Sequence, residues 1–160
     1  MAIKVGDTLP AANFKLVHDG INDAGTDDVF KDRNVVLFAV PGAFTPTCSA
    51  KHLPGYVGAF QQFRDRGVDV ACLAVYDAFV MEAWARQQSV PPGMMMLADG
   101  NAEFTRAMGL ELDASGFGMG LRAKRFALLA RNCVVTALHV EAPGEFKVSS
   151  AEAMLEALED

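Results

Sequence analysis

NVVLFAVPGAFTPTCSAKHL, residues 34–53, opens with an apolar run from Val35 to Val40. The run is too short for a globular helix and rich in β-branched side chains, which predicts a buried strand. Pro41 and Gly42 end it. Thr45, Pro46, Thr47 and Cys48 then have the form of a helix start. The Thr45 hydroxyl suits an N-cap that accepts from a first-turn amide, and Pro46 suits the first helical position, which needs no amide partner. Cys48 falls at the third helical position, where a capping box carries Glu and where free amides and the helix dipole favour negative charge. A thiolate is favoured there for the same reason.

An ordinary cysteine is only a few per cent thiolate at neutral pH, and making it mostly anionic takes about 3 to 4 kcal/mol. A helix end contributes about 0.3 to 1 kcal/mol, rising to about 2 when partly buried. A reactive Cys48 therefore needs a further cation. The alternative is that Cys48 is a small buried hydrophobe.

Pro41, Thr45 and Cys48, spaced as they are in PGAFTPTC, resemble the active-site pattern of the peroxiredoxins. The following SAKHLPGY, then VYDAFVMEAW and LRAKRFALL, resemble the peroxiredoxin-five subfamily, over nearly the whole chain. The resemblance implies an α/β, thioredoxin-like fold with a mixed central sheet flanked by helices, and thiol-dependent reduction of hydroperoxides. It implies Cys48 as nucleophile and Arg125, in LRAKRF, as the catalytic arginine. Tyr76 stands where relatives carry asparagine.

Outward from this stretch, 160 residues suit one domain, 1–160, able to bury roughly two-thirds of its unfolded surface. Twenty acidic against fourteen basic residues, net −6, argue against nucleic acid or an anionic membrane as main partner. No apolar run has membrane-spanning length and the first residues lack a signal-peptide core, so a soluble cytoplasmic protein is expected. Cys48, Cys72 and Cys133 are too few and too dispersed for a disulfide framework or a zinc site. No metal or cofactor is expected.

A hairpin is expected from Ala12–Val17 and a segment around Ile21, turning at His18, Asp19 and Gly20, with one helical turn over Asp27–Asp32. After Cys48 the helical pattern continues through Leu53, Val57, Phe60 and Phe63, kinked or interrupted at Pro54 and Gly55. Val68–Val75 reads as a second buried strand with Cys72 in the core. Asp77 caps a helix to about Gln88, packing through Phe79, Ala83 and Trp84. Met94–Ala98 is a short strand whose methionines fill core, Ala102–Met108 a short helix, and Asp113–Gly120 a mobile loop. The loop's GxGxG is followed by a strand rather than a helix, which disfavours a phosphate site. Arg122–Ala130 and Val134–Val140 form a hairpin joined by Arg131, Asn132 and an exposed Cys133; Ser150 caps the last helix. Strands alternating with helices, then a hairpin and a helix, give an α/β domain.

In the expected chemistry Cys48 attacks a peroxide oxygen and becomes sulfenic acid as water or an alcohol leaves. Fixed donors are needed for the negative oxygen and sulfur: the Thr45 hydroxyl, the Cys48 amide and Arg125, with Pro41 as a wall limiting water. On a strand, residue 125 faces away from Arg122 and Lys124. His52 lies one helical turn after Cys48 and is a candidate for the peroxide-binding set. It also raises a rival, a Cys-His hydrolase, which lacks a recognisable orienting third residue. A thioredoxin-fold redox sensor or binding module is the other alternative. The resolving cysteine of two-cysteine relatives is matched by Ser149, and Cys133 and Cys72 are expected to be too far away. That implies a one-cysteine enzyme regenerated by glutathione, glutaredoxin or thioredoxin, with glutathione favoured. Relatives are often homodimers, so a homodimer is expected, with Pro46, Phe79 and the Phe117 loop near the interface.

Overall fold

The apolar run of residues 35–40 becomes the middle of a seven-stranded sheet. The computed structural model describes residues 2–159. A hairpin of β1 (Asn13–Val17) and β2 (Ile21–Gly25) leads through α1 (Thr26–Phe30) into β3 (Asn34–Ala39). A π-helical turn (Cys48–His52) runs into α2 (Leu53–Asp65), followed by β4 (Asp69–Ala74), α3 (Ala78–Gln87), β5 (Met95–Ala98) and α4 (Glu103–Ala107). Short strands β6 (Glu111–Asp113) and β7 (Leu121–Ala123) pair with each other. Then come β8 (Phe126–Arg131), β9 (Val134–Val140) and α5 (Ala151–Glu159).

The main sheet has the order β2-β1-β5-β4-β3-β8-β9. β3, β4 and β5 are parallel, and β1 and β8 flank them antiparallel, so the sheet is mixed as expected. Side chains alternate across a strand. Val36, Phe38 and Val40 therefore meet α2, α3 and α5 on one face, while Val35, Leu37 and Ala39 meet α1 and α4 on the other. This is the thioredoxin-like arrangement, with the carboxyl end of β3 delivering the chain to Pro41 and Cys48.

Several local expectations hold. Asp19 and Gly20 take positive φ in the first turn, the Asp77 carboxylate accepts from the Val80 amide at 2.9 Å, and the Ser150 hydroxyl accepts from the Ala153 amide at 3.1 Å. Met94, Met95 and Met96 are buried.

Others do not. Helix α3 packs through Ala78, Met81 and Trp84, leaving Ala83 exposed and Phe79 76% exposed. Positions 78, 81 and 84 form one stripe at helical spacing, and Phe79 lies about 160° from the centre of that stripe. The expected strand 122–130 is broken at Lys124 and Arg125, because β7 pairs with β6 while β8 belongs to the main sheet. Asn132 and Cys133 form the two-residue turn, with φ of 47° and 69°. Yet Cys133 is only 9% exposed, with its thiol 3.7 Å from an Asp27 carboxylate oxygen. The turn folds back under the amino-terminal segment, whose Leu9 amide donates to the Cys133 carbonyl.

Candidate active site

Helical conformation begins at Pro46, and the first helical bond runs from the Ser49 amide to the Thr45 carbonyl at 2.9 Å. Cys48 therefore sits in the first turn, as its sequence position predicts. The Thr45 hydroxyl does not cap that turn, however. It donates to the Gly42 carbonyl, which also accepts from the Thr45 amide at 3.2 Å. The tight Gly42–Thr45 turn, with Phe44 at φ 64°, puts this acceptor next to the hydroxyl. Gly42 is required there, since a Cβ would lie 2.6 Å from the Thr45 methyl and 2.8 Å from the Met119 methyl.

The kink expected at Pro54 takes the form of a wide turn upstream of it. The Leu53 amide donates to the Cys48 carbonyl five residues back, so Cys48–His52 is π-helical and Pro54 enters at the start of regular α2 without breaking it. Cys48 and His52 are both fully buried.

Arg125 meets them from the break between β7 and β8. One terminal nitrogen, Nη2, donates to Cys48 Sγ at 3.1 Å, and Nη1 lies 2.9 Å from His52 Nδ1. A guanidinium has only donors, so His52 Nδ1 must accept. The imidazole proton is then on Nε2, which donates to the Ser149 carbonyl at 3.0 Å. That carbonyl also accepts from the Tyr56 hydroxyl at 2.8 Å, and the imidazole is enclosed by Phe38, Tyr56 and Phe146.

Burial, helped by the Arg125 charge, pushes His52 down to about 3, so its ring is neutral at physiological pH. Its substrate contact, expected from the sequence, is not available: both ring nitrogens are engaged and no edge is exposed. The unfolded chain takes up a proton near the ordinary value of 6.5 that the folded chain refuses until about 3. His52 therefore makes stability fall as pH drops through that window. Between about pH 6 and 4, the unfolding free energy of His52→Gln should fall less steeply than that of the native chain, by about 1.4 kcal/mol per pH unit for one proton. Urea titrations across that range check this; equal slopes would contradict the neutral, buried imidazole.

Behind the imidazole stands Glu141, only 7% exposed. Its carboxylate accepts from the amides of Lys147, Val148 and Ser149, each at 2.8 Å, and from the Ser149 hydroxyl at 2.7 Å. Burial works to raise its pKa, but the hydrogen bonds from Ser149 and these amides outweigh it and leave Glu141 below the ordinary carboxylate value. Sequence reading missed Glu141, and Ser149 was read only as the match to a cysteine. Their contacts bridge β9 and the segment before α5, and no local pattern announces them.

Pro41, Thr47, Lys124, Arg125, Glu141 and Pro143 are among the residues around a cavity of about 210 Å³ beside the Arg125 guanidinium. A larger hollow of about 940 Å³ lies elsewhere, between the first hairpin and the start of α3, and contains no cysteine. Cys72 shares the Cys48 face of the sheet, is fully buried, and has its thiol pushed well up by burial and by Cys48. Cys133 packs on the opposite face, and all three cysteines are free. Arg122 stacks 4.3 Å from the Tyr76 ring and donates to the Val75 carbonyl at 2.6 Å. Among the described residues no group of three or more His, Cys, Asp or Glu is placed to hold a metal, and no helix is long and apolar enough to cross a membrane.

The sequence matches the Redoxin family model over residues 4–155. It is similar to Peroxiredoxin-2E, chloroplastic, of Arabidopsis thaliana, 46% identical with 98% of this chain and 70% of that protein covered. Peroxiredoxin-2C of the same plant is 42% identical, with 98% of each chain covered. Among solved structures, reduced Prx3 from Vibrio vulnificus in complex with hydrogen peroxide superposes with a TM-score of 0.92 at 49% identity, covering 98% of this chain and 99% of that one.

Proposed function

The chain belongs to the Redoxin family and is a peroxiredoxin, a thiol peroxidase; from that premise we propose that Cys48 is its peroxide-reducing thiolate, activated by Arg125 and regenerated by glutathione or glutaredoxin. The observation that carries this reading is the Arg125 Nη2 contact with Cys48 Sγ at 3.1 Å. It supplies the cation that the helix end alone lacks. A charge-assisted hydrogen bond is worth about 1.5 to 3 kcal/mol, which with the first-turn position approaches the stabilisation a thiolate requires.

The Cys48 thiolate attacks one oxygen of the hydroperoxide, the O–O bond breaks, and sulfur gains a hydroxyl as sulfenic acid. The other oxygen leaves as hydroxide or alkoxide and takes a proton from water. Arg125 and the Cys48 amide, which precedes the first helical bond, are the donors for the developing charge. Thr45 joins them by rotating its hydroxyl away from Gly42, and Pro41 screens the site from water. The complex of the similar Vibrio Prx3 with hydrogen peroxide supports that substrate here.

A hydrolase reading finds no support in His52. Its Nδ1 accepts from Arg125 and its Nε2 donates to Ser149, so neither nitrogen is free to take a proton from Cys48.

The sulfenic acid condenses with one thiol, releasing water, and a second thiol displaces the mixed disulfide. Cys133 lies across the sheet, Cys72 is buried in the core and residue 149 is serine, which supports an external thiol. Exposed Pro46, Phe79 and Phe117 fit a homodimer contact. Intact mass after one equivalent of peroxide, then glutathione, should show one added oxygen replaced by one glutathione on Cys48. Loss of two hydrogens, mapped to a disulfide at Cys48, would overturn the one-cysteine mechanism.

A further inference from the structure

We infer that Glu141 is a positioning residue for the peroxidatic site, closing a ring of hydrogen bonds that fixes Arg125 from both its main chain and its guanidinium. This rests on Arg125 activating Cys48, and adds what holds Arg125 in place. The main-chain side is direct: the Glu141 amide donates to the Arg125 carbonyl at 2.9 Å. The other side runs through the carboxylate, which gathers the amides of Lys147, Val148 and Ser149 and the Ser149 hydroxyl. With that segment pinned, the Ser149 carbonyl accepts from the His52 Nε2–H, which leaves Nδ1 as the acceptor for Arg125 Nη1. Arg125 Nη2 is then aimed at Cys48 Sγ.

The tautomer is the link that makes this more than a tied loop. Were the Ser149 carbonyl displaced, the buried Nε2–H would lose its acceptor and only Arg125 would still favour that tautomer; a proton shifted to Nδ1 would oppose the guanidinium. Two donors cannot share the 2.9 Å contact, so Arg125 would swing away from sulfur. Phe38, Tyr56 and Phe146 enclose the imidazole, and the Ser149 carbonyl is the partner that Nε2 has there. Burying a carboxylate among neutral donors is costly, and a hydrophobic contact would anchor the segment more cheaply. An acceptor able to take several amides at once fixes the direction of the Ser149 carbonyl, which apolar packing does not.

Glu141→Ala removes every acceptor while keeping the backbone bond to Arg125. Peroxide kcat/KM per folded molecule should fall about 10- to 100-fold, the size of effect that a misplacement of about 1 Å produces. The ultraviolet thiolate titration should move to higher pH, and nitrogen-15 spectra should lose the single Nε2–H form of His52. Should Glu141→Ala not fold, Glu141→Gln, with one acceptor oxygen and nearly the same volume, should show the same three changes at smaller amplitude. A folded variant with native His52 tautomer, titration and rate would overturn the inference, and so would one that is merely less stable with a native rate. Arg125→Ala run in parallel separates the two levels: if it too is native, the reading of Arg125 itself has failed, whereas a defect there beside native Glu141 variants sinks only the role of Glu141.

Discussion

Cys48→Ser is expected to abolish peroxide turnover, by at least about 10⁴-fold, the scale seen when an enzyme loses its nucleophile, while the chain stays folded. A serine hydroxyl is hardly ionised at neutral pH and cannot carry the sulfenic intermediate, so no slower version of the same path remains. The fold should tolerate the change because the side chains are nearly the same size and Arg125 still offers a donor to the new hydroxyl. Serine is poorer than cysteine in the apolar surroundings of this face, which should cost about 1 to 2 kcal/mol of stability at most. Cys72→Ser and Cys133→Ser should keep turnover. If either abolished it without unfolding the chain, Cys48 would be the wrong nucleophile.

The second large effect is at Arg125. Arg125→Ala removes a charge-assisted hydrogen bond to sulfur worth about 1.5 to 3 kcal/mol, equivalent to about 10- to 100-fold, before any loss of peroxide orientation is added. It also leaves His52 Nδ1 without a donor in a fully buried site, so a stability loss of about 1 to 3 kcal/mol should accompany the rate loss. Arg125→Lys keeps a cation but cannot serve sulfur and imidazole with two coplanar nitrogens. It should therefore preserve the thiolate titration better than the rate. A thiolate titration of Arg125→Ala that overlays the native curve would refute the electrostatic role.

Residues 34–53 were informative because each of their signals is local. The β-branched run, the Pro-Gly break and the Thr-Pro start are read from neighbours in sequence, and the strand and Cys48 position follow from them. Arg125 was reached by resemblance. Strand alternation does not orient it, because the chain breaks at Lys124 and Arg125. Phe79 is misleading in sequence because a large apolar side chain suggests core, whereas the buried stripe is set by Ala78, Met81 and Trp84. His52, Ser149 and Glu141 were illegible as a group. His52 reaches a main-chain carbonyl 97 residues away, and Glu141 gathers amides across an irregular segment outside any helix or strand, and such bonds leave no periodicity.

The wide turn at Cys48–His52 can be understood as a correction of helical phase. Cys48 and Leu53 are five residues apart, which in a regular α-helix separates them by about 140° around the axis. Both are nevertheless fully buried, because the five-residue hydrogen bond spends one extra residue on a single revolution and brings them to nearly the same azimuth. Helix α2 can then press Leu53, Tyr56 and Phe63 onto the sheet while the same cylinder aims sulfur at Arg125. Deleting any one residue between Ser49 and Lys51 would leave a regular helix that is sound by propensity yet out of step. With α2 seated, the thiol would turn away from the guanidinium; with the thiol seated, the apolar stripe of α2 would turn toward water.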